Sequence, residues 1–99
     1  MMFKEGIELI TVEVYKDELH QDKTRENKQL VFGDKKSIGQ SEFFMAGQNG
    51  FKPSNMFLVK AIDYNNQTKL IHEGKKYAIY RTYLKGENVE LYCEFKVGA

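Results

Sequence analysis

Three short turn signals divide the carboxy-terminal half of the chain into runs that are rich in β-branched and aromatic residues. The signals are Asn65-Asn66, Glu73-Gly74 and Lys85-Gly86-Glu87-Asn88, and such residues between apolar runs are typical of hairpin turns. Four antiparallel strands are expected around them: Asn55 to Tyr64, Gln67 to His72, Lys75 to Leu84 and Asn88 to Val97. This half of the chain therefore predicts a strand meander within a mostly β domain.

The last of these strands alternates between apolar and polar residues, and the alternation assigns its two faces. The apolar face carries Val89, Leu91, Cys93, Phe95 and Val97. A hairpin that joins Leu84 to Val89 gives the other pairs of this buried face as Thr82 with Leu91, Tyr80 with Cys93 and Ala78 with Phe95. The outer face then pairs Tyr83 with Glu90 and Arg81 with Tyr92, beside Tyr77 and Ile79. That face is too apolar for a solvated sheet, so we expect a helix or a second subunit to cover it.

The amino-terminal half predicts two further strands that are separated by a loop. Ile7 to Tyr15 is mostly apolar and β-branched, as in a strand that is covered on both sides. Lys16 to Lys28 mixes both charges around a single apolar residue, Leu19, and is expected to be a long polar loop. A short strand is expected from Gln29 to Phe32, continuing to Lys36 past a bulge at Gly33.

A change of period after this strand predicts one short helix from Ile38 to Gln48. Ser37 and Gln40 have the spacing of a capping box, and Gly50 and Pro53 would end the helix. One side of it presents Ile38, Glu42, Met45 and Ala46. Because Gly39 and Gly47 weaken a helix, we expect tertiary contacts to stabilise it, and these would come from Phe43, Phe44 and Met45.

Composition excludes several classes of protein. The net charge of +1, from 15 basic and 14 acidic residues, gives no strong field toward nucleic acid or an anionic membrane. No apolar run approaches the roughly 20 residues that a membrane-spanning helix needs. A single cysteine cannot form an internal disulfide, and the first residues do not resemble a signal peptide, so synthesis in the cytoplasm is expected.

No catalytic, cofactor or metal site is expected from the sequence. His20 lies in the polar segment and His72 stands alone beside a turn, whereas a metal site needs several converging ligands. Cys93 faces the core, where a thiol behaves as a small hydrophobe. The acidic residues alternate with lysines along exposed positions, which indicates a solvated face rather than a catalytic carboxylate pair. The chain is therefore expected not to be an enzyme.

Two binding functions remain open at this point. Five tyrosines could form a stacking surface for single-stranded nucleic acid, although nearby glutamates offset the basic residues among them: Tyr64, Tyr77, Tyr80, Tyr83 and Tyr92. The second open function is that of a small module that binds a peptide at an open sheet edge.

The order of several short motifs carries a family resemblance: Ser37-Ile38, Glu42-Phe43, Gly50-Phe51-Lys52-Pro53, the strand Gly74 to Tyr83, and Glu90-Leu91-Tyr92. In this order, from about Ile7 to Gly98, the chain resembles the head-tail joining, or head-closure, proteins of long-tailed bacteriophages and prophages. The resemblance implies a small antiparallel β-barrel of about six strands with one short helix, as a single domain. It also implies a structural virion protein that closes the DNA-filled head and provides the docking surface for the tail. A tail-completion protein is the alternative within phages.

The same resemblance implies the partners of the chain and its location. The partners would be further copies in a ring, the portal or adaptor ring, a tail-completion protein and packaged double-stranded DNA without sequence specificity. The location would be the host bacterial cytoplasm during assembly and then the head-tail interface of the virion, without a membrane.

A loop that projects into the channel of the ring is also implied, either within Lys16 to Lys28 or around Gly33 to Gly39. The first candidate has charges that nearly cancel, which would let a polyanion slide past: Lys16, Asp17, Glu18, Asp22, Lys23, Arg25, Glu26 and Lys28. A ring needs one patch to meet a different patch on the neighbour. The residues expected at that subunit interface are Ile79, Arg81, Tyr83, Glu90 and Tyr92, against Glu42 and Phe43.

Overall fold

The computed structural model describes residues 3–95, which form a closed antiparallel barrel of six strands with one short α-helix. The predicted mostly β fold is confirmed, since 62% of the structure is strand. The strands are β1 (Glu5–Lys16), β2 (Asp22–Lys36), β3 (Pro53–Lys60), β4 (Lys69–His72), β5 (Lys75–Lys85) and β6 (Asn88–Phe95). Helix α1 (Gln40–Gln48) connects β2 to β3, and a 3₁₀ turn at Ala61–Asp63 follows β3. The predicted continuation of the last strand through Lys96 to Val97 lies outside the described residues.

Neighbouring strands follow the order β1-β2-β3-β6-β5-β4, and β4 returns to β1 to close the barrel. The expected meander is wrong at one step, because β3 pairs with β6 and not with β4. The connection at 61–68 takes the chain past the β6–β5 hairpin, so that β4 lies on its far side. The seam that closes the barrel is short and joins Glu8 to Ile71, Leu9 to Leu70 and Ile10 to Lys69.

The core fills the interior of the barrel with side chains from every strand. Its buried members are Ile7, Leu9, Val31, Phe57, Val59, Leu70, Tyr77, Val89, Leu91 and Cys93. The predicted inward face of β6 is confirmed at Val89, Leu91 and Cys93, but it is wrong at Phe95, which is 45% exposed. Full burial of a side chain such as Phe57 or Leu91 contributes about 1.5–3 kcal/mol to stability, so this cluster dominates the fold.

A bulge at Tyr80 decides which residues of β5 face the core. On the turn side of it, the predicted register is confirmed, with Leu84 opposite Val89, Thr82 opposite Leu91, Tyr83 opposite Glu90 and Arg81 opposite Tyr92. The predicted burial of Thr82 and Leu84 is wrong, since both side chains are exposed. Beyond the bulge the register shifts, so Cys93 pairs with Ile79 and Phe95 with Tyr77. The predicted pairs of Cys93 with Tyr80 and of Phe95 with Ala78 are wrong, because one extra residue exchanges the two faces of a strand. Tyr77 and Ile79 consequently pack against the core instead of the outer surface.

The segment 16–28 forms the turn and the second strand at the far end of a hairpin, rather than the long polar loop that its composition predicts. Residues Glu5 to Lys16 of β1 pair with Gly33 to Asp22 of β2 in one unbroken register, and the turn between the strands spans only residues 17–21. The far part of this hairpin is exposed, with Val12 at 51% and Val14 at 69%, so the expected cover on both sides of β1 is also wrong there. We call residues 11–28 the arm.

The second candidate loop, residues 33–39, is also mostly strand. Gly33 to Lys36 pair with Val59 to Met56 of β3, and the register passes Gly33 without the predicted bulge. Gly33 is required for another reason, since a Cβ there would meet the Leu58 carbonyl oxygen and lie 2.8 Å from Val59 Cγ1. The glycine lets β2 leave β1 and continue beside β3.

The predicted helix is present but begins later and is held differently. Its N-cap is Gly39, with no side-chain hydrogen bond to the first turn, so the capping box of Ser37 and Gln40 is wrong. Ala46 is its buried residue. The three side chains that were expected to anchor it are exposed: Phe43 at 54%, Phe44 at 61% and Met45 at 62%.

Candidate functional site

The carboxylate of Glu42 joins the helix to the outer wall of the barrel through hydrogen bonds. Tyr80 Oη donates to Glu42 Oε2 at 2.9 Å, and Arg81 Nε donates to the same oxygen at 3.4 Å. Arg81 Nη2 donates to Glu42 Oε1, which makes the Arg81 pair bidentate. The bulge at Tyr80 lets two consecutive side chains reach the same carboxylate, because it turns Tyr80 outward next to Arg81.

The network continues from Arg81 to β6. The Arg81 guanidinium carbon lies 4.1 Å from the centroid of the Tyr92 ring, which is a cation–π contact. Tyr92 Oη in turn donates to Glu90 Oε1 at 2.7 Å. We call Glu42, Tyr80, Arg81, Glu90 and Tyr92 the helix clamp.

Burial and these hydrogen bonds shift the pKa values of the clamp. The pKa of Tyr80 is raised, first by desolvation and then by its hydrogen bond to Glu42. The pKa of Arg81 is raised mainly by its hydrogen bond to Glu42, and that of Tyr92 is raised first by desolvation and then by its hydrogen bond to Glu90. Both phenols therefore stay neutral donors and Arg81 stays cationic at physiological pH.

A small groove lies between the helix and the barrel wall, next to the clamp. Its volume is about 130 Å³, and Met45, Ala46, Asn49 and Phe51 complete its lining. The Phe51 ring stacks on the Tyr80 ring with centroids 4.9 Å apart. Sequence reasoning missed this stack, because Tyr80 had been assigned to the core face. The expectation that a helix covers part of the outer face of β5 is confirmed here.

The residues predicted at a subunit interface separate into three groups. Glu42, Arg81, Glu90 and Tyr92 contact one another within a single chain, as the clamp. The prediction that Ile79 lies on the outer surface is wrong, since its side chain packs against the core. Phe43 and Tyr83 are each 54% exposed and remain accessible to a partner.

The predicted channel residues all lie on the arm, and all are exposed apart from half-buried Asp17 at the turn. From Thr11 to Lys16 the arm carries six cross-strand pairs, a length of about 20 Å. The strands next to it end earlier, since β4 reaches Ile10 of β1 and β3 reaches Gly33 of β2. The arm is thus a two-stranded ribbon that extends beyond the barrel wall.

Opposite charges and one capping side chain hold the ribbon together. Arg25 Nε lies 2.8 Å from Glu13 Oε2, and the Arg25 guanidinium carbon is 5.1 Å from the Tyr15 ring centroid. Lys16 Nζ lies 3.5 Å from Asp22 Oδ1. At the tip, Asp17 Oδ1 accepts hydrogen bonds from the backbone N–H groups of residues 19 and 21, each at 2.9 Å. At the base, Lys76 Nζ of β5 lies 3.6 Å from Glu26 Oε2.

Sequence reasoning excluded a catalytic role for Cys93 and a metal site at His72, and the structure bears differently on these two residues. Cys93 is fully buried, and desolvation raises the pKa of its thiol to about 12, in agreement with a packing role. His72 does not stand alone, because Glu5 at the start of β1 lies against it in the closed barrel. The predicted surface of five tyrosines is wrong at Tyr77, because that side chain is buried.

Fold and surface together define a small closed β-barrel with a helix clamped to its wall and a charged β arm. Neither a protein-family model nor a curated protein matches this chain. Among residues 3–95, no helix has the length and apolar character that crossing a membrane requires.

Proposed function

We propose that this chain is a structural subunit of a phage head-tail connector, in which copies form a ring that closes the DNA-filled head and receives the tail. The observation that carries the proposal is the arm. It is an extended, exposed ribbon that contains Lys16 to Lys28, one of the two segments that the family resemblance makes candidates for the channel loop.

The charge pattern of the arm suits contact with DNA that must move. Within residues 16–28, the four basic residues Lys16, Lys23, Arg25 and Lys28 are matched in number by four acidic residues, Asp17, Glu18, Asp22 and Glu26. Each phosphate neutralised by a protein cation releases counterions and strengthens binding, so a ribbon of nearly zero net charge avoids tight binding. Leu19 is the one apolar residue of the segment 16–28, so an apolar plug is not expected.

The surface of the arm and helix suits contact with neighbouring copies. Val12 and Val14 alternate on one face of β1, and the edge of the ribbon beyond Ile10 can accept another strand. Phe43, which follows Glu42, and Tyr83, which pairs with Glu90, are two further exposed aromatic side chains next to clamp residues. An isolated subunit can remain a monomer until the adaptor ring binds the assembled form preferentially.

The test is a tail-acceptance assay with DNA-filled capsids that lack tails. Purified protein is expected to bind these particles and to restore their ability to accept tails, and a failure to associate with them overturns the proposal. A shortened chain, with Thr11 to Asn27 replaced by Asn-Gly, keeps the pair of Ile10 and Lys28 at the end of the barrel. It is expected to fold but not to restore tail acceptance. The matched control at the tip is Leu19→Ala, which is expected to act as the unaltered chain does.

The arm also suits the alternative of a peptide-binding module, because strand addition needs an open edge. In that case the chain would capture a bacterial peptide or protein and would show no affinity for tailless capsids. The single-stranded nucleic-acid alternative predicts salt-sensitive binding that Tyr83→Ala weakens, and a flat fluorescence-anisotropy titration would remove it.

A further inference from the structure

The barrel end opposite the arm brings together three possible metal ligands from distant parts of the sequence. His72 Nε2 lies 3.1 Å from Glu5 Oε1 and 3.8 Å from Glu73 Oε1. The three ligand atoms all lie within 4.8 Å of one another. From this geometry we propose that Glu5, His72 and Glu73 bind a divalent transition-metal ion of the zinc type.

Two of the three distances between the ligand atoms agree with the size of such an ion, and the third, between Glu5 and Glu73, is at most 4.8 Å. Zinc lies about 2.0–2.2 Å from imidazole nitrogen and carboxylate oxygen, and its ligands are arranged tetrahedrally. Two ligands of such a site are therefore about 3.4 Å apart. The separations of 3.1 and 3.8 Å bracket that value. Small side-chain movements of the two carboxylates would complete the coordination.

The ligands also have a suitable environment. The His72 side chain is only 3% exposed, and its ring lies against Phe57 with centroids 5.0 Å apart, so one ligand is held rigidly. Glu5 and Glu73 are 37% and 72% exposed, which leaves the metal reachable from solvent. Three protein ligands leave a fourth position for water or another donor.

The position of the site gives metal binding a structural consequence. Glu5 begins β1, His72 ends β4 and Glu73 follows it in the turn to β5, and β1 and β4 form the short closing seam of the barrel. A metal ion there would join residues that are 67 positions apart in the chain. Binding to the folded state would stabilise the closed barrel, since the unfolded chain does not hold these ligands together.

The experiment is thermal unfolding of the full chain, stripped of metal by a chelator and then titrated with zinc chloride. At a free zinc concentration 100 times the Kd, the melting temperature is expected to rise by roughly 10 °C or more. Magnesium, which prefers octahedral oxygen sites, is expected to give no rise. Glu5→Gln and Glu73→Gln keep the shape of the side chains and are expected to abolish the zinc effect without unfolding the barrel.

The matched control is His20→Ala, which removes the other histidine of the sequence, at the tip of the arm. It is expected to leave the zinc effect unchanged. Cobalt supplies a second readout, because a four-coordinate cobalt site gives visible absorption bands that both glutamine variants should lose. The proposal is overturned if zinc does not raise the melting temperature, if both glutamine variants respond as the unaltered chain does, or if His20→Ala abolishes the response. This test does not depend on the connector function, which capsid binding tests separately.

Discussion

Gly33→Ala and Gly47→Ala make the same chemical change at two glycines, yet the structure predicts opposite effects on stability. At Gly33 the added methyl group would meet the Leu58 carbonyl oxygen, with Val59 Cγ1 at 2.8 Å and Ile7 Cδ1 at 3.0 Å. At Gly47, inside the helix, nothing lies within 4 Å of the added methyl group. The first substitution overpacks a strand crossing, and the second replaces a poor helix former with the best one.

The expected magnitudes follow from these two environments. Overpacking against backbone and core typically destabilises by about 1–3 kcal/mol, and Gly33→Ala belongs at the upper end because a carbonyl oxygen cannot rotate away. Gly47→Ala should stabilise the protein by about 0.5–1 kcal/mol, since alanine has the higher helix propensity. In a chain of this size, 1 kcal/mol changes the melting temperature by about 4–8 °C.

Urea unfolding followed by far-ultraviolet circular dichroism measures both free energies of unfolding on the same scale. The midpoint is expected to fall for Gly33→Ala and to rise for Gly47→Ala, with similar m-values. A Gly33→Ala protein within 0.5 kcal/mol of the unaltered chain would refute the close packing of β2 on β3. Destabilisation by Gly47→Ala would refute the exposed position of that helix face.

The remaining predictions concern the buried thiol and the clamp. Because burial raises the pKa of Cys93 from 9.0 to about 12, its contribution to stability is fully present below pH 9 and is lost as the pH rises toward 12. Over that range the free energy of unfolding should fall by up to about 1.4 kcal/mol per pH unit, and Cys93→Ala should reduce this slope; an unchanged slope in the variant would contradict the assignment. Glu42→Gln removes the charge that accepts from Tyr80 and Arg81, and a cost of about 1 kcal/mol is expected for this half-exposed pair. Urea denaturation measures it against Glu18→Gln at the exposed arm tip, and equal midpoints for the two variants would speak against the clamp.

The carboxy-terminal half was predictable because its turn residues and strand alternation are local signals. The register of Leu84 with Val89 follows from the turn at residues 85–88, and it is confirmed as far as Arg81. The bulge at Tyr80 has no comparable signature, since a single extra residue does not change the composition of the strand. One missed residue was enough to assign Tyr77 and Ile79 to the wrong face.

Residues 16–28 of the arm were predicted to be a loop because the usual sign of a strand is a buried apolar face, and this segment has none. The strands of the arm form through backbone pairing and through opposite charges, such as Arg25 with Glu13. The contact of Glu5 with His72 could not be predicted from the sequence either, because it depends on how the closed barrel brings β1 and β4 together. Pairing across long sequence separations cannot be derived from residue patterns alone.

The energetics of the arm support a function in association. Ordering a residue costs about 1–2 kcal/mol of backbone entropy, whereas a favourable cross-strand pair returns only about 0.2–1 kcal/mol. A two-stranded ribbon with both faces in water is therefore marginal by itself. Val12 and Val14 add exposed apolar surface to it. A partner that covers this face would supply the missing burial at about 25 cal/mol per Å². The arm therefore gains more from a neighbour than the packed barrel does, which favours a subunit that completes its structure in an assembly.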